Sequence, residues 1–349
     1  VYEVAMKILC VGDVHWSQNS SILRSRGEYY STRLQNLIAS VNWAEETAWN
    51  NGCTTIIYMG DFFDSTQLNS EEISALSCIK WAPIPRIFIT GNHETNVSSL
   101  DYSTCDVFSL CPSATVINRP GWYDVEDVPD LEFAFLPYIL ERDRKPLSEY
   151  FPQTTKRRII FSHNDLKDVQ YGAFLSTEGF TPAEIEANCS LCMNGHIHNC
   201  SYVTSKIINC GNLTGQNFTE DATKYGHYVE LIDTKTLEVQ FIPNPYALNF
   251  AKIDATGDKW ASALPVKFNN AVLTIKVDSP ETARAAREAC DFDPNIVTYR
   301  LIVESKLSDA ITAAPTLEAV DHLKQFEQYV LSYIGDTNVI REELFNVMR

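Results

Sequence analysis

Residues 54–64 read Thr-Thr-Ile-Ile-Tyr-Met-Gly-Asp-Phe-Phe-Asp, TTIIYMGDFFD. An apolar run of strand length, Thr54–Met59, passes directly into Gly60-Asp61 and then Asp64. Short continuous apolar runs are typical of strands buried on both faces, as in parallel sheets. The same grammar recurs on either side. KILCV (7–11) leads into Asp13-Val14-His15, and RIFIT (86–90) leads into Gly91-Asn92-His93-Glu94. Between the first two runs, Leu34, Leu37, Ile38, Val41, Ala44 and Ala48 repeat at helical spacing over 32–50, and the pattern stops at Gly52. Between the second and third, Ser70 reads as the cap of a helix through Trp81, with Glu71 and Glu72 in its first turn. Strand–helix–strand order with apolar strands predicts an α/β fold, a parallel sheet covered by helices.

From about residue 114 the pattern turns β-rich. Candidate strands cover 114–118, 121–126, 131–136, 158–162, 190–193, 201–204, 206–210, 226–233 and 236–241, and two packed sheets with outer helices accommodate them better than one open sheet. Two more motifs follow strand-like runs here: Ser162-His163-Asn164 and Gly195-His196-Ile197-His198. Residues 255–265 (ATGDKWASALP) read as a linker. A small β-α-β unit follows, with strand 270–277, helix 280–290 and strand 296–304. Beyond Pro315, Leu317, Val320, Leu323, Phe326, Val330 and Ile334 recur at spacings of three and four up to Gly335, and Ile340, Leu344 and Val347 mark a second helix. The expected domains are therefore 6–250, 266–306 and 315–349.

The chain has 349 residues, 45% hydrophobic and 21% charged. That composition excludes a disordered, collagen-like or disulfide-scaffold protein. No apolar run approaches the roughly 18–20 residues of a membrane span. The formal net charge of −17 excludes a chain that coats nucleic acid through bulk positive charge. It leaves room for an enzyme that grips nucleic acid through metal ions and local basic clusters. Candidates are Arg24/Arg26, Arg142-Asp143-Arg144-Lys145 and Lys156-Arg157-Arg158, each of which alone reads as solvated surface. The ten cysteines are irregularly spaced, with one lone Cys189-x-x-Cys192 pair, the pattern of thiols in a reducing compartment. The first ten residues lack the features of a signal peptide, so a cytoplasmic location is expected.

Five of the seven histidines fall within the five motifs. Residues at the C-terminal ends of several parallel strands converge in space. The residue types are metal ligands: carboxylates, one amide and imidazoles. Such a mixed oxygen and nitrogen set suits Mn, Fe, Zn or Co better than Ca. It also exceeds what one tetrahedral zinc needs. Two ions sharing a carboxylate is the economical solution, and a pair of this kind can clamp both oxygens of a phosphoryl displacement. Each motif is weak alone; the ordered set of five, each after a strand, is specific.

The set resembles the calcineurin-like metallophosphoesterase superfamily over residues 6–245. The resemblance implies a four-layer α/β/β/α sandwich. It implies that Asp13, His15, Asp61 and His198 hold one divalent ion, and that Asp61, Asn92, His163 and His196 hold a second, with Asp61 bridging. His93 would be the catalytic acid–base histidine, oriented by Asp64. Protein Ser/Thr phosphatases share the Gly-Asn-His-Glu spelling, but they carry arginines where this chain has Ser65 and Thr90, to clamp a phosphate monoester. The small unit and the terminal helices instead resemble the SbcD-type DNA repair nucleases, above all the compact versions of T-even-like bacteriophages. That resemblance implies a DNA exonuclease or endonuclease with two manganese ions, no membrane contact and a homodimeric state. In it the small unit faces DNA, and the terminal helices dock on the coiled coil of an SbcC-type SMC-like ATPase. A metallophosphatase or small-molecule phosphodiesterase is the alternative within the superfamily. A non-catalytic scaffold would show decayed ligands, and none is seen. Glu94 stands where the family usually has Asp; as a non-ligand it is expected to be tolerated.

Overall fold

The computed structural model describes residues 6–18, 29–96, 99–125, 128–171, 174–257 and 269–303. The basic pair Arg24/Arg26, linker residues 258–265 and the helices expected over 315–349 lie outside the described residues. No described helix is long and apolar enough to cross a membrane.

Two six-stranded sheets carry the fold. The first runs in the order Val239–Pro243, Tyr228–Asp233, Lys7–Val11, Thr55–Tyr58, Arg86–Ile89, Ala114–Ile117. Its last four strands are mutually parallel, and the first two are antiparallel additions. The second sheet runs Ser201–Tyr202, Ile207–Asn209, Leu191–Asn194, Arg157–Ser162, Leu131–Leu136, Gly121–Asp124. Its four inner strands are parallel and both edges antiparallel.

Strand alternation sorts the side chains into layers. Ile8, Cys10, Ile57, Met59 and Ile89 pack with Phe135, Ile159, Phe161 and Met193 in one buried cluster between the sheets. Leu9, Val11, Ile56 and Tyr58 point the other way, onto Leu34, Leu37, Val41, Ala44 and Ala48 of the helix Thr32–Asn50. On the far side, Ala134, Leu136, Ile160 and Cys192 meet Leu147, Phe151 and Ile185. This is the expected helix/sheet/sheet/helix sandwich.

Local chemistry sets the element ends. Ser31 caps the helix Thr32–Asn50, its side chain accepting from Leu34 N–H, and Gly52 follows with φ 68°. The second helix departs from expectation. Its cap is Asn69, not Ser70, because Asn69 Oδ1 accepts from the Glu71 and Glu72 N–H groups while Glu72 answers to the Asn69 N–H. The helix covers Ser70–Leu76 and stops short of Trp81. Ile79 and Trp81 lie in a loop packed on the core, which mimics a helical repeat in the sequence.

The small unit also exceeds its expected bounds. Ala271–Val277, Pro280–Asp291 and Ile296–Val303 form as strand, helix and strand. A third strand, Asn249–Asp254, pairs parallel with Ala271–Val277, so the sheet begins inside the segment assigned to the first domain. Two of the basic clusters turn out to be paired with acids. Arg158 is buried against Glu132 at 2.5 Å, Lys156 reaches Asp124 at 2.6 Å and Arg157 reaches Asp130 at 2.8 Å. Arg144 pairs with Glu141. All ten cysteines are free thiols.

Candidate metal centre

The five motifs follow Lys7–Val11, Thr55–Tyr58, Arg86–Ile89, Arg157–Ser162 and Leu191–Asn194, all at strand C-terminal ends. The two sheets meet there. Met59 O accepts from His163 Nδ1–H at 2.8 Å, and Asp13 Oδ1 accepts from His196 N–H at 3.1 Å. Gly60 makes the first approach possible: its φ is 101°, and a Cβ there would lie 2.1 Å from His163 Nδ1.

Three site residues hold left-handed backbone: His15 (φ 50°), Asp61 (φ 47°) and His196 (φ 72°). Such conformations cost on the order of 1–3 kcal/mol each and persist where the surroundings over-determine them. The surroundings are visible: Asp61 O accepts from both Val14 N–H and His15 N–H, at 3.1 and 2.9 Å.

The side chains form linked clusters of ligand atoms. Asp13, His15 and His198 make one; Asp61, His163 and His196 make another; His15, Asp61 and His93 make a third. In the first, His15 Nε2 and His198 Nε2 are 3.1 Å apart, with Asp13 Oδ2 at 4.0 and 3.7 Å from them. In the second, His163 Nε2 is 3.3 Å from Asp61 Oδ2 and 3.2 Å from Asn92 Oδ1, and Asn92 Oδ1 is 2.8 Å from His196 Nδ1. Asp61 Oδ2 also lies 3.9 Å from His15 Nε2, so Asp61 stands between the two.

This donor set fits divalent cations. Asp13 Oδ2 is buried and has no hydrogen-bond partner, a costly state unless a cation neutralises it. His163 spends its Nδ1–H on Met59, which leaves Nε2 for the cluster. Burial opposes charge on His163, but the Asp61 and Asp13 carboxylates outweigh burial and push it up to about 10. A cation drawn by the same carboxylates would displace that proton. Burial, with His15 beside it, pulls His198 down to about 3, keeping it neutral as a ligand must be.

His93 differs from these. Its side chain is 42% exposed, and its Nδ1 lies 3.3 Å from Asp64 Oδ1. That hydrogen bond outweighs burial and pushes His93 up to about 9. The same Asp64 Oδ1 accepts from His15 Nδ1–H at 2.9 Å, so Asp64 serves two rings, only one of which the sequence suggested.

Glu94 is the residue the sequence undervalued. It is buried, with Oε1 accepting from Phe63 N–H and Oε2 from Gly91 N–H, both at 2.9 Å. Cys105 Sγ donates to Oε1 at 2.9 Å. Burial and then Asp61 push its carboxyl up to about 7. It clamps the Gly60–Asp64 loop to the Gly91–His93 loop. Its position beside Asn92 and His93 was the available signal.

Solved structures similar to the chain include an archaeal phosphodiesterase (14% identity, TM-score 0.37, covering 68% of this chain and 99% of that one). They also include TT1561 of Thermus thermophilus (10%, 0.42, 69% and 99%) and a dimetal phosphatase from Danio rerio (13%, 0.38, 69% and 99%). No curated protein matches the chain. The family model described as calcineurin-like phosphoesterase matches residues 6–200. All five motifs, from Asp13 to His198, fall inside that match, and the chain belongs to the calcineurin-like phosphoesterase family of metal-dependent hydrolases.

Proposed function

We propose that this chain is a metal-dependent DNA nuclease, hydrolysing phosphodiester bonds as the nuclease subunit of an SbcCD-like recombination and repair complex. The observation that carries this reading is a two-cluster centre with no guanidinium at the two positions that would grip a phosphate monoester. Ser65 is exposed, and Thr90 is buried with its carbonyl accepting from Tyr138 N–H at 3.0 Å. A dianionic monoester is normally gripped by paired guanidiniums; a diester, with one negative charge, needs less.

Asp13, His15, Asp61 and His198 would hold one ion, and Asp61, Asn92, His163 and His196 the other; manganese suits this mixed set. Two divalent ions there would supply Lewis-acid charge to a phosphoryl group and activate water. The protein's own part falls to His93. Asp64 binds Nδ1, which leaves Nε2 of this half-exposed ring as the nitrogen free to give a proton to the departing oxygen. Asp64 also keeps the ring cationic, and by binding His15 Nδ1 it leaves that ring's Nε2 as the nitrogen that would hold the ion.

The net charge of −17 and the acid-paired clusters at 142–145 and 156–158 favour a second reading, a small-molecule phosphodiesterase or phosphatase. In the nuclease reading the missing affinity comes from a partner, since backbone binding is driven by counterion release at basic surfaces. The partner is an SbcC-type ATPase, bound in a helix-in-groove mode by the apolar stripe of the helices expected from sequence over 315–349. The small unit expected over 266–306 is the cap facing DNA, and the protein works as a homodimer in the cytoplasm of a bacterial or phage-infected cell.

The test is substrate choice. With Mn, the purified chain is expected to cut linear duplex DNA and a bis-aryl phosphodiester in preference to an aryl phosphate monoester. Faster turnover of the monoester, with DNA left intact, favours the second reading. A chain truncated after Ser308 is expected to keep the small-diester activity and lose the ATPase.

A further inference from the structure

We propose that Asp165 is a positioning residue for His196, its carboxylate holding the imidazole so that Nδ1 faces the ion shared with Asp61, Asn92 and His163. The proposal rests on the two-ion reading above.

The two ring nitrogens of His196 have different partners. Nε2 lies 3.3 Å from Asp165 Oδ2, and Nδ1 lies 2.8 Å from Asn92 Oδ1. A neutral imidazole carries its proton on one nitrogen and a lone pair on the other. An ionised carboxylate only accepts, so Asp165 draws the proton to Nε2 and leaves the lone pair on Nδ1. That lone pair then faces Asn92 Oδ1, 2.8 Å away, as two ligands of one cation would, in the cluster that also holds Asp61 and His163.

The placement of Asp165 is built in. Its carbonyl accepts from Phe180 N–H at 3.1 Å. Gly179 packs against that carbonyl with φ 102°, and a Cβ there would lie 2.0 Å from the oxygen. The neighbouring Asn164 does a different job. Its Nδ2 donates to Leu136 O and Pro137 O, both at 3.0 Å, and its Oδ1 accepts from Ile139 N–H at 3.1 Å. Asn164 thus ties the loop to the sheet, while the residues on either side of it address the metal centre.

Two other candidate ligand histidines are held in the same manner. His15 is fixed through Nδ1 by Asp64, and His163 through Nδ1 by Met59 O. Asp165 supplies the matching outer partner for His196, a carboxylate oxygen 3.3 Å from Nε2. Losing an outer partner of this kind typically costs about 10–100-fold in metal affinity.

The experiment is calorimetric titration of Mn alone into the metal-stripped full chain: wild type, Asp165→Asn, Asp165→Ala and Asp165→Glu. Thermal unfolding in EDTA is recorded for each. Wild type is expected to bind two ions. In D165N and D165A one ion is expected to weaken by about 10–100-fold while the other is unchanged, and D165E restores most of the loss. If D165A melts early in EDTA, D165N, which keeps the side-chain shape, is the deciding variant. Wild-type affinity for both ions in D165N overturns the proposal. Equal weakening of both ions also overturns it, because that marks a general structural role. A wild type that binds fewer than two ions overturns the two-ion reading first, and the role of Asp165 with it.

Discussion

The Nε2 atoms of His15 and His198 stand 3.1 Å apart, although His15 already gives its Nδ1 proton to Asp64. Two ring nitrogens and the unpartnered Asp13 Oδ2 share one small space, and a cation reconciles them. EDTA is therefore expected to abolish phosphodiester hydrolysis, and Mn is expected to restore it better than Mg, which prefers an all-oxygen shell. Full activity in Mg-only buffer, with no transition metal by elemental analysis, would contradict this assignment.

His93 separates from ion binding in its consequences. His93→Ala is expected to retain its ions and lose cleavage by about 10²–10⁴-fold, the range for a general acid. The pH profile gives the sign. The hydrogen bond that His93 gives to the Asp64 carboxylate raises His93 to about 9, so the proton needed at Nε2 is present below that pH and activity falls as pH rises through it. Asp64→Asn removes the chief cause, and the alkaline limb of kcat/KM is expected to move down toward about 6.5, the ordinary histidine value. An unmoved alkaline limb in D64N, with ions still bound, would assign the titration to another group.

Glu94→Gln tests the clamp between the two loops. The amide keeps the size of the side chain but can accept at only one of the two positions where Phe63 and Gly91 now donate. One buried N–H loses its acceptor, at a cost of about 1–3 kcal/mol. Urea unfolding in EDTA is expected to show that loss, with a lower kcat in the loaded enzyme because Asp61 and His93 sit on the two loops. Unchanged stability would show that Glu94 merely fills space.

Much of this architecture could be read from local sequence, for a physical reason. Runs such as KILCV and TTIIYM are apolar because both faces are covered, and the motifs follow them because parallel strands place their C-terminal ends together. Tertiary partnerships were another matter. Nothing near Glu94 announces Phe63, and nothing near Asp165 announces His196, since each pair meets only when separate strands align. Asn69 and Ser70 are both good caps, and only the reach of Glu72 back to the Asn69 N–H selects between them. The strand Asn249–Asp254 was missed because its partner, Ala271–Val277, lies across an intervening segment and its own pattern is mixed.

Asp61 faces both clusters of ligand atoms, and metal stoichiometry tests its shared role most directly. Elemental analysis of the Mn-loaded wild type is expected to give two ions per chain. Asp61→Ala, which removes a ligand from both, is expected to fall below one while the variant still folds. One ion per chain in the wild type, or an unchanged two in the Asp61→Ala variant, would contradict a shared two-ion centre.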